Sequence, residues 1–180
     1  MSALAFLSLE GAETAVVARS PMHRRLRDAG AEFAERDGWL VAVSVPGEEG
    51  RPLLVRDLTH LHRIQEASGG AVIEYRTRRA TALVTRLLWN GSADDLLDVS
   101  AGYAALGIDG PGADAVLRRM SELDLSDLPA VGAVAHARAF VIADGPESYR
   151  LLFEQEYGHY LWEVAVDAAE PLGGGPGGTP

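Results

Sequence analysis

The sequence predicts an α+β domain in which antiparallel sheets carry flanking helices. Three observations lead there. Short apolar stretches such as GWLVAVSVPG and SYRLLFEQ end in glycine- or proline-rich turns, as strands do. Helical periodicity is confined to a few separated segments. Strand-like segments also follow one another directly, whereas a doubly wound parallel sheet needs a helix after nearly every strand.

Residues 1–19 form a weakly patterned N-terminal segment. SPMHRRLRDAGAEFAERDGW, from Ser20, reads as a helix with Ser20 as N-cap and Pro21 in its first turn; Met22, Leu26, Ala29 and Phe33 recur on one face. GWLVAVSVPG is a strand stopped by Pro46-Gly47. RPLLVRDLTHLHRIQEASGG gives two short strands or one broken strand, and GGAVIEYRTRRATALVTRLLWNG two more, with Arg76, Arg78 and Arg79 at their connection. Tyr103 to Ile108 is a strand, and Pro111 starts a helix reaching about Leu123. AVGAVAHARAFVIADG is one or two strands interrupted near Gly132, and PESYRLLFEQ is another. EYGHYLWEVAVDAAEPL closes the domain as a helix whose apolar face is Tyr157, Leu161, Val164 and Ala168. The domain thus spans 20–170, and the glycine- and proline-rich residues 171–180 are expected to be a disordered tail.

Composition excludes several chemistries. The 180 residues carry a net charge of −10, which opposes binding to nucleic acid or to an anionic membrane. No cysteine is present, so disulfides, thiolate nucleophiles and cysteine-ligated metals are absent. All 16 basic residues are arginine, which removes Schiff-base chemistry and the lysine of a phosphate-binding loop. The N-terminal MSALAFLSLEGAETAVVA lacks a basic start and carries Glu10 and Glu13, making it a poor signal peptide; a cytoplasmic location is expected.

The turn Gly107-Ile108-Asp109-Gly110-Pro111-Gly112 has the strand–glycine–helix layout of a phosphate loop but not its spacing. Pro111 removes a needed N–H, so the turn reads as a corner, with Asp109 capping the helix that follows. His60 and His62 would share one face of a strand, but two histidines do not make a metal site, and no metal is expected. Asp94 and Asp95 in NGSADDLLD form a carboxylate pair after an Asn90-Gly91 turn. No G-x-S-x-G nucleophile elbow occurs.

Several blocks in order resemble the glycine-cleavage T-protein (aminomethyltransferase) folate-binding family. They are SPMHRRLRDAGAEFAERDGW, VRDLTHLHRIQEASG, DVSAGYAALGIDGPGADAVL, LDLSDLP and YRLLFEQEYGHYLWEVAVDAA, together covering about residues 20–170. The resemblance implies two intertwined α+β halves, with tetrahydrofolate in a central channel in active members. Full T-proteins add a C-terminal barrel that this sequence does not reach. The tRNA-linked branch, marked by a lysine-glycine-cysteine motif, is excluded because lysine and cysteine are absent. NGSADDLLD resembles the family's aspartate-bearing block, which would place Asp94 in the catalytic position, with Asp95 and His60 as the other catalytic candidates.

Where folate-binding members place a glutamate after an aromatic residue to bond the pterin, this sequence has Arg150 after Tyr149. A guanidinium only donates and cannot accept the pterin N–H groups. In this respect, and in length, the chain is most similar to the gamma subunit of heterotetrameric sarcosine oxidase. The expectation is an accessory chain, without a cofactor of its own, that joins flavoprotein subunits or forms a homo-oligomer. The alternative is a stand-alone enzyme using tetrahydrofolate or a repurposed channel. Arg150, Tyr149 and Tyr103 are then the candidate ligand-binding side chains.

Overall fold

A computed structural model describes residues 18–67, 70–75, 83–87 and 97–179. The described elements run β1 (Ala18–Arg19), α1 (His23–Asp28), β2 (Glu32–Arg36), β3 (Trp39–Ser44), β4 (Leu54–Asp57), β5 (His62–Ala67), β6 (Gly70–Tyr75), β7 (Leu83–Leu87), β8 (Leu97–Asp98) and β9 (Tyr103–Asp109). Then come α2 (Ala113–Met120), β10 (Ala130–Val134), β11 (Ala137–Gly145), β12 (Ser148–Glu154), α3 (Gly158–Ala169) and β13 (Gly175–Gly177). The strands build three sheets, ordered β1-β3-β2, β10-β11-β12-β9-β4-β13 and β7-β6-β5-β8. Strand β4, from the first half of the chain, sits between β9 and β13 from the second, so the halves interleave. The pairings are antiparallel except those of β1 with β3 and β13 with β4. The expected α+β class with mainly antiparallel sheet is what the structure has, and no closed barrel occurs among the described residues.

The six-stranded sheet separates two apolar clusters. On one face, Val55, Leu106, Ile108, Val141, Leu151 and Phe153 pack with Leu26 of α1, Leu117 of α2 and Leu161 and Trp162 of α3. The helices therefore cover one side, and burial of their apolar stripes is the main force holding them there. On the opposite face, Leu58, Ile64, Ala105, Phe140, Ile142 and Leu152 form a second, smaller core. Period-two alternation along β9 and β12 divides these residues between the faces.

Several expectations are corrected. The first helix stops at Asp28, and Gly30 leaves it with φ +82°. Residues 32–44 instead make the hairpin β2–β3 about Asp37-Gly38, both at positive φ (51° and 79°), the pairing a two-residue hairpin turn prefers. Ser20 lies ahead of the helix, its Oγ accepting from the Met22 N–H at 3.0 Å, and is not the residue adjoining it. The break in the late strands falls at Ala135-His136, both at positive φ (46° and 68°), rather than at Gly132. Gly132 lies within β10, where a Cβ would come 2.6 Å from Leu123 Cδ2. Asp109 does not cap α2; Gly112 precedes that helix, and Asp109 Oδ1 accepts from Ser148 Oγ at 2.6 Å. The buried face of α3 is Gly158, Leu161, Trp162, Ala165 and Ala169, because Trp162 rather than Tyr157 turns inward.

The tail expected to be disordered is ordered. Gly175–Gly177 adds to the edge of the six-stranded sheet beside β4, and Gly174, Gly175, Gly177, Gly178 and Thr179 are buried. Hydrogen bonds rather than side-chain burial seat it, which a composition-based reading does not detect.

Candidate functional site

Register places three residues side by side on the face of the second core. Arg150 of β12 pairs with Gly107 of β9, and Gly107 pairs with Arg56 of β4. Directly opposed residues of a ladder point to the same side, so two arginines flank one glycine. Gly107 leaves room for Leu58, whose Cδ1 would lie 2.8 Å from any Cβ placed there.

Arg150 is the largest fully buried side chain among the described residues, 1% exposed. Its Nη2 donates to Asp144 Oδ1 at 2.7 Å, and the Asp144 side chain is 33% exposed. A buried guanidinium needs such a partner, since leaving the charge uncompensated away from water is costly. Burial raises the Asp144 carboxyl above its ordinary range; the Arg150 charge and hydrogen bond lower it, and Asp109 raises it. Asp109, tied to Ser148, completes the polar end of this core. Beside it lies a shallow cleft of about 670 Å³ lined by Asp109, Gly110, Asp114, Gly145, Pro146, Glu147 and Ser148. Its acidic lining disfavours anions.

At the other end of the second core, Tyr103 begins β9 with its ring centroid 6.3 Å from that of Phe140. Tyr103 precedes Gly107, the partner of Arg150, by four residues, or about 13 Å of strand. His60 lies half-buried on the turn Thr59–Leu61. That turn is fastened to β9: Leu58 N–H donates to the Ala105 carbonyl at 2.9 Å, and Ala105 N–H donates to Thr59 Oγ1 at 3.2 Å. Asp57 Oδ1 in turn accepts from Thr59 N–H at 3.0 Å. The turn also corrects the idea of a shared histidine face, because His62 starts β5 beyond it and is 2% exposed.

The sequence-predicted residues are therefore spread out. Arg150 and Tyr103 share a sheet face but stand at opposite ends of it. Tyr149 points to the other face, into the helix-side core, and is not brought together with Arg150. Asp94 and Asp95 lie outside the described residues. Sequence reading missed Asp144, the partner that defines the state of Arg150, and Asp57. Only the Asp-Gly step at 144–145 marked the former, and as a turn. Asp57 is buried, and that burial pushes its carboxyl up against the lowering effect of hydrogen bonds from Ser20 and Thr59.

These residues do not suit a pterin at the position the resemblance assigns to its anchor. Arg150 offers donors where an acceptor is needed, and Oδ1 of the adjoining Asp144 accepts from Arg150.

This architecture defines a class, the T-protein-like α+β fold with interleaved halves. A chain of heterotetrameric sarcosine oxidase from Corynebacterium sp. U-96, in complex with pyrrole 2-carboxylate, superposes with TM-score 0.54 at 16% identity, covering 87% of this chain and 96% of that one. Glycine cleavage system aminomethyltransferase T from Bartonella henselae superposes with TM-score 0.61 at 14% identity, covering 89% of this chain and 60% of that one. The present chain has the fold these two proteins share. No protein-family model and no curated protein matches the sequence. Among the described residues, no helix is long and apolar enough to cross a membrane.

Proposed function

We propose that this chain is an accessory, gamma-like subunit of a flavin-linked amine-oxidising complex and holds no folate or redox cofactor itself. The observation that carries the reading is the buried Arg150–Asp144 pair. On the resemblance, Arg150 stands where a folate enzyme of this fold would present a free carboxylate, and Asp144 neutralises its charge. The likeness in fold to a chain of heterotetrameric sarcosine oxidase also supports it.

Calorimetric titration of the purified chain with tetrahydrofolate tests the reading. No heat of binding is expected. Saturable binding that Asp144→Asn or Arg150→Met alters would favour the stand-alone folate enzyme instead.

A further inference from the structure

We infer that residues 173–179 are a releasable strap that closes the β4 edge of the six-stranded sheet and clips the three-stranded sheet to it. This goes beyond the proposed partnership and does not depend on it.

The strap's path is specific. It leaves the α3 side of the molecule at Gly173, whose φ of +77° sets the direction. Gly175 N–H donates to the Leu53 carbonyl at 3.1 Å, and residues 175–177 run parallel to Leu54–Arg56. Beyond them the strap crosses to β3 and the turn after it, where Gly178 N–H donates to Glu48 Oε2 at 2.5 Å and Thr179 N–H to the Ala42 carbonyl of β3 at 2.8 Å. Thr179 Oγ1 donates to the Asp57 carbonyl at 2.8 Å, so the strap ends at the base of the turn that carries His60.

The slot accepts little besides glycine at two positions. A Cβ on Gly174 would come 2.9 Å from both Ala169 Cβ and Leu53 Cδ2. One on Gly178 would strike the Val43 carbonyl, whereas one on Gly175 would meet only the movable Arg51 guanidinium. Fit and hold are separate matters, however. Residues 173–178 are glycine apart from Pro176, so almost no apolar side chain is buried to keep the strap in place. Hydrogen bonds exchanged with water contribute little net, and ordered glycines lose more conformational freedom than any other residue. A segment seated this way opens on its own, while the β9–β12 core it borders stays closed. Opening bares the Leu53 carbonyl and the N–H and C=O of Val55 as a sheet edge, while Leu54 and Arg56 stay paired with β9, and an extended segment of another chain can pair with that edge.

Hydrogen exchange on the full chain tests this. Amides of Gly175, Gly178 and Thr179 are expected to exchange about 100-fold or more faster than those of Ala104–Ile108, the signature of independent opening. Gly178→Ala should unseat the strap, bringing its amides close to unprotected rates and speeding exchange at Val55, whose N–H faces the strap, while leaving β9 unchanged. A chain ended after Gly173 should show the same pattern. Strap amides as slow as those of β9 would overturn the inference. So would global loss of protection in either variant, because the segment would then be part of the cooperative core.

Discussion

Arg150 Nη2 lies 2.7 Å from Asp144 Oδ1, and this contact makes a fully buried guanidinium tolerable in a small apolar core. Asp144→Asn removes the charge that compensates Arg150. Because Asp144 is one-third exposed, the loss should fall below that of a fully buried pair, at about 2–3 kcal/mol in urea unfolding. Replacing both residues, as in Asp144→Asn with Arg150→Met, should recover most of that loss, since no charge is left buried. A double variant no more stable than the single would show that Arg150 contributes through other contacts.

Asp57 predicts a pH dependence. Its carboxyl is raised above the ordinary 3.8, so between 3.8 and the raised folded value the folded protein holds a proton that the unfolded chain has lost. Its contribution is present at low pH and is lost as pH rises through that window. Asp144 acts with the same sign. Asp57→Asn keeps an oxygen to accept the Thr59 N–H and removes the titration. Denaturation midpoints measured across pH should therefore fall less steeply above pH 4 in this variant than in the parent.

Gly38 and Gly110 both require positive φ, yet only one is crowded. Alanine at Gly38 (φ +79°) meets nothing within 4 Å and should cost about 1–2 kcal/mol from the backbone alone. At Gly110 (φ +115°) the added Cβ also strikes the Pro52 carbonyl, so the loss should reach about 3 kcal/mol or more. Equal thermal shifts for the two variants would mean that the Pro52 approach is dispensable.

Phe153 is fully buried on β12 within the helix-side core. Phe153→Ala should cost about 3–5 kcal/mol by lost burial and the cavity left behind, read in the same urea unfolding.

The fold class was legible because short apolar stretches bounded by turn residues mark β3, β9 and β12 directly in the sequence. The first helix was read too long because Ala29 and Phe33 continue a helical spacing. Asp37-Gly38 is a strong hairpin signal that the helical reading absorbed. The turn at Ala135-His136 carries no glycine or asparagine, so the two-residue β10–β11 hairpin that holds both at positive φ left no strong signal in the sequence. The strap was illegible for a different reason: glycine-rich composition reports flexibility in the free chain and is silent about a slot made by Leu53, Val43 and Ala169. At the candidate site the arginine was visible and its partner was not. Asp144 meets Arg150 through the pairing of β11 with β12, at the place where their register shifts between Ala143 and Gly145.

The most direct test of the central claim is to purify the tagged chain from its native host under mild conditions and record the absorbance of whatever elutes with it. An accessory subunit is expected to bring a stoichiometric flavoprotein, giving flavin bands that co-migrate with the chain in size exclusion. A chain that elutes alone, free of flavin, and turns over a folate substrate would contradict the account.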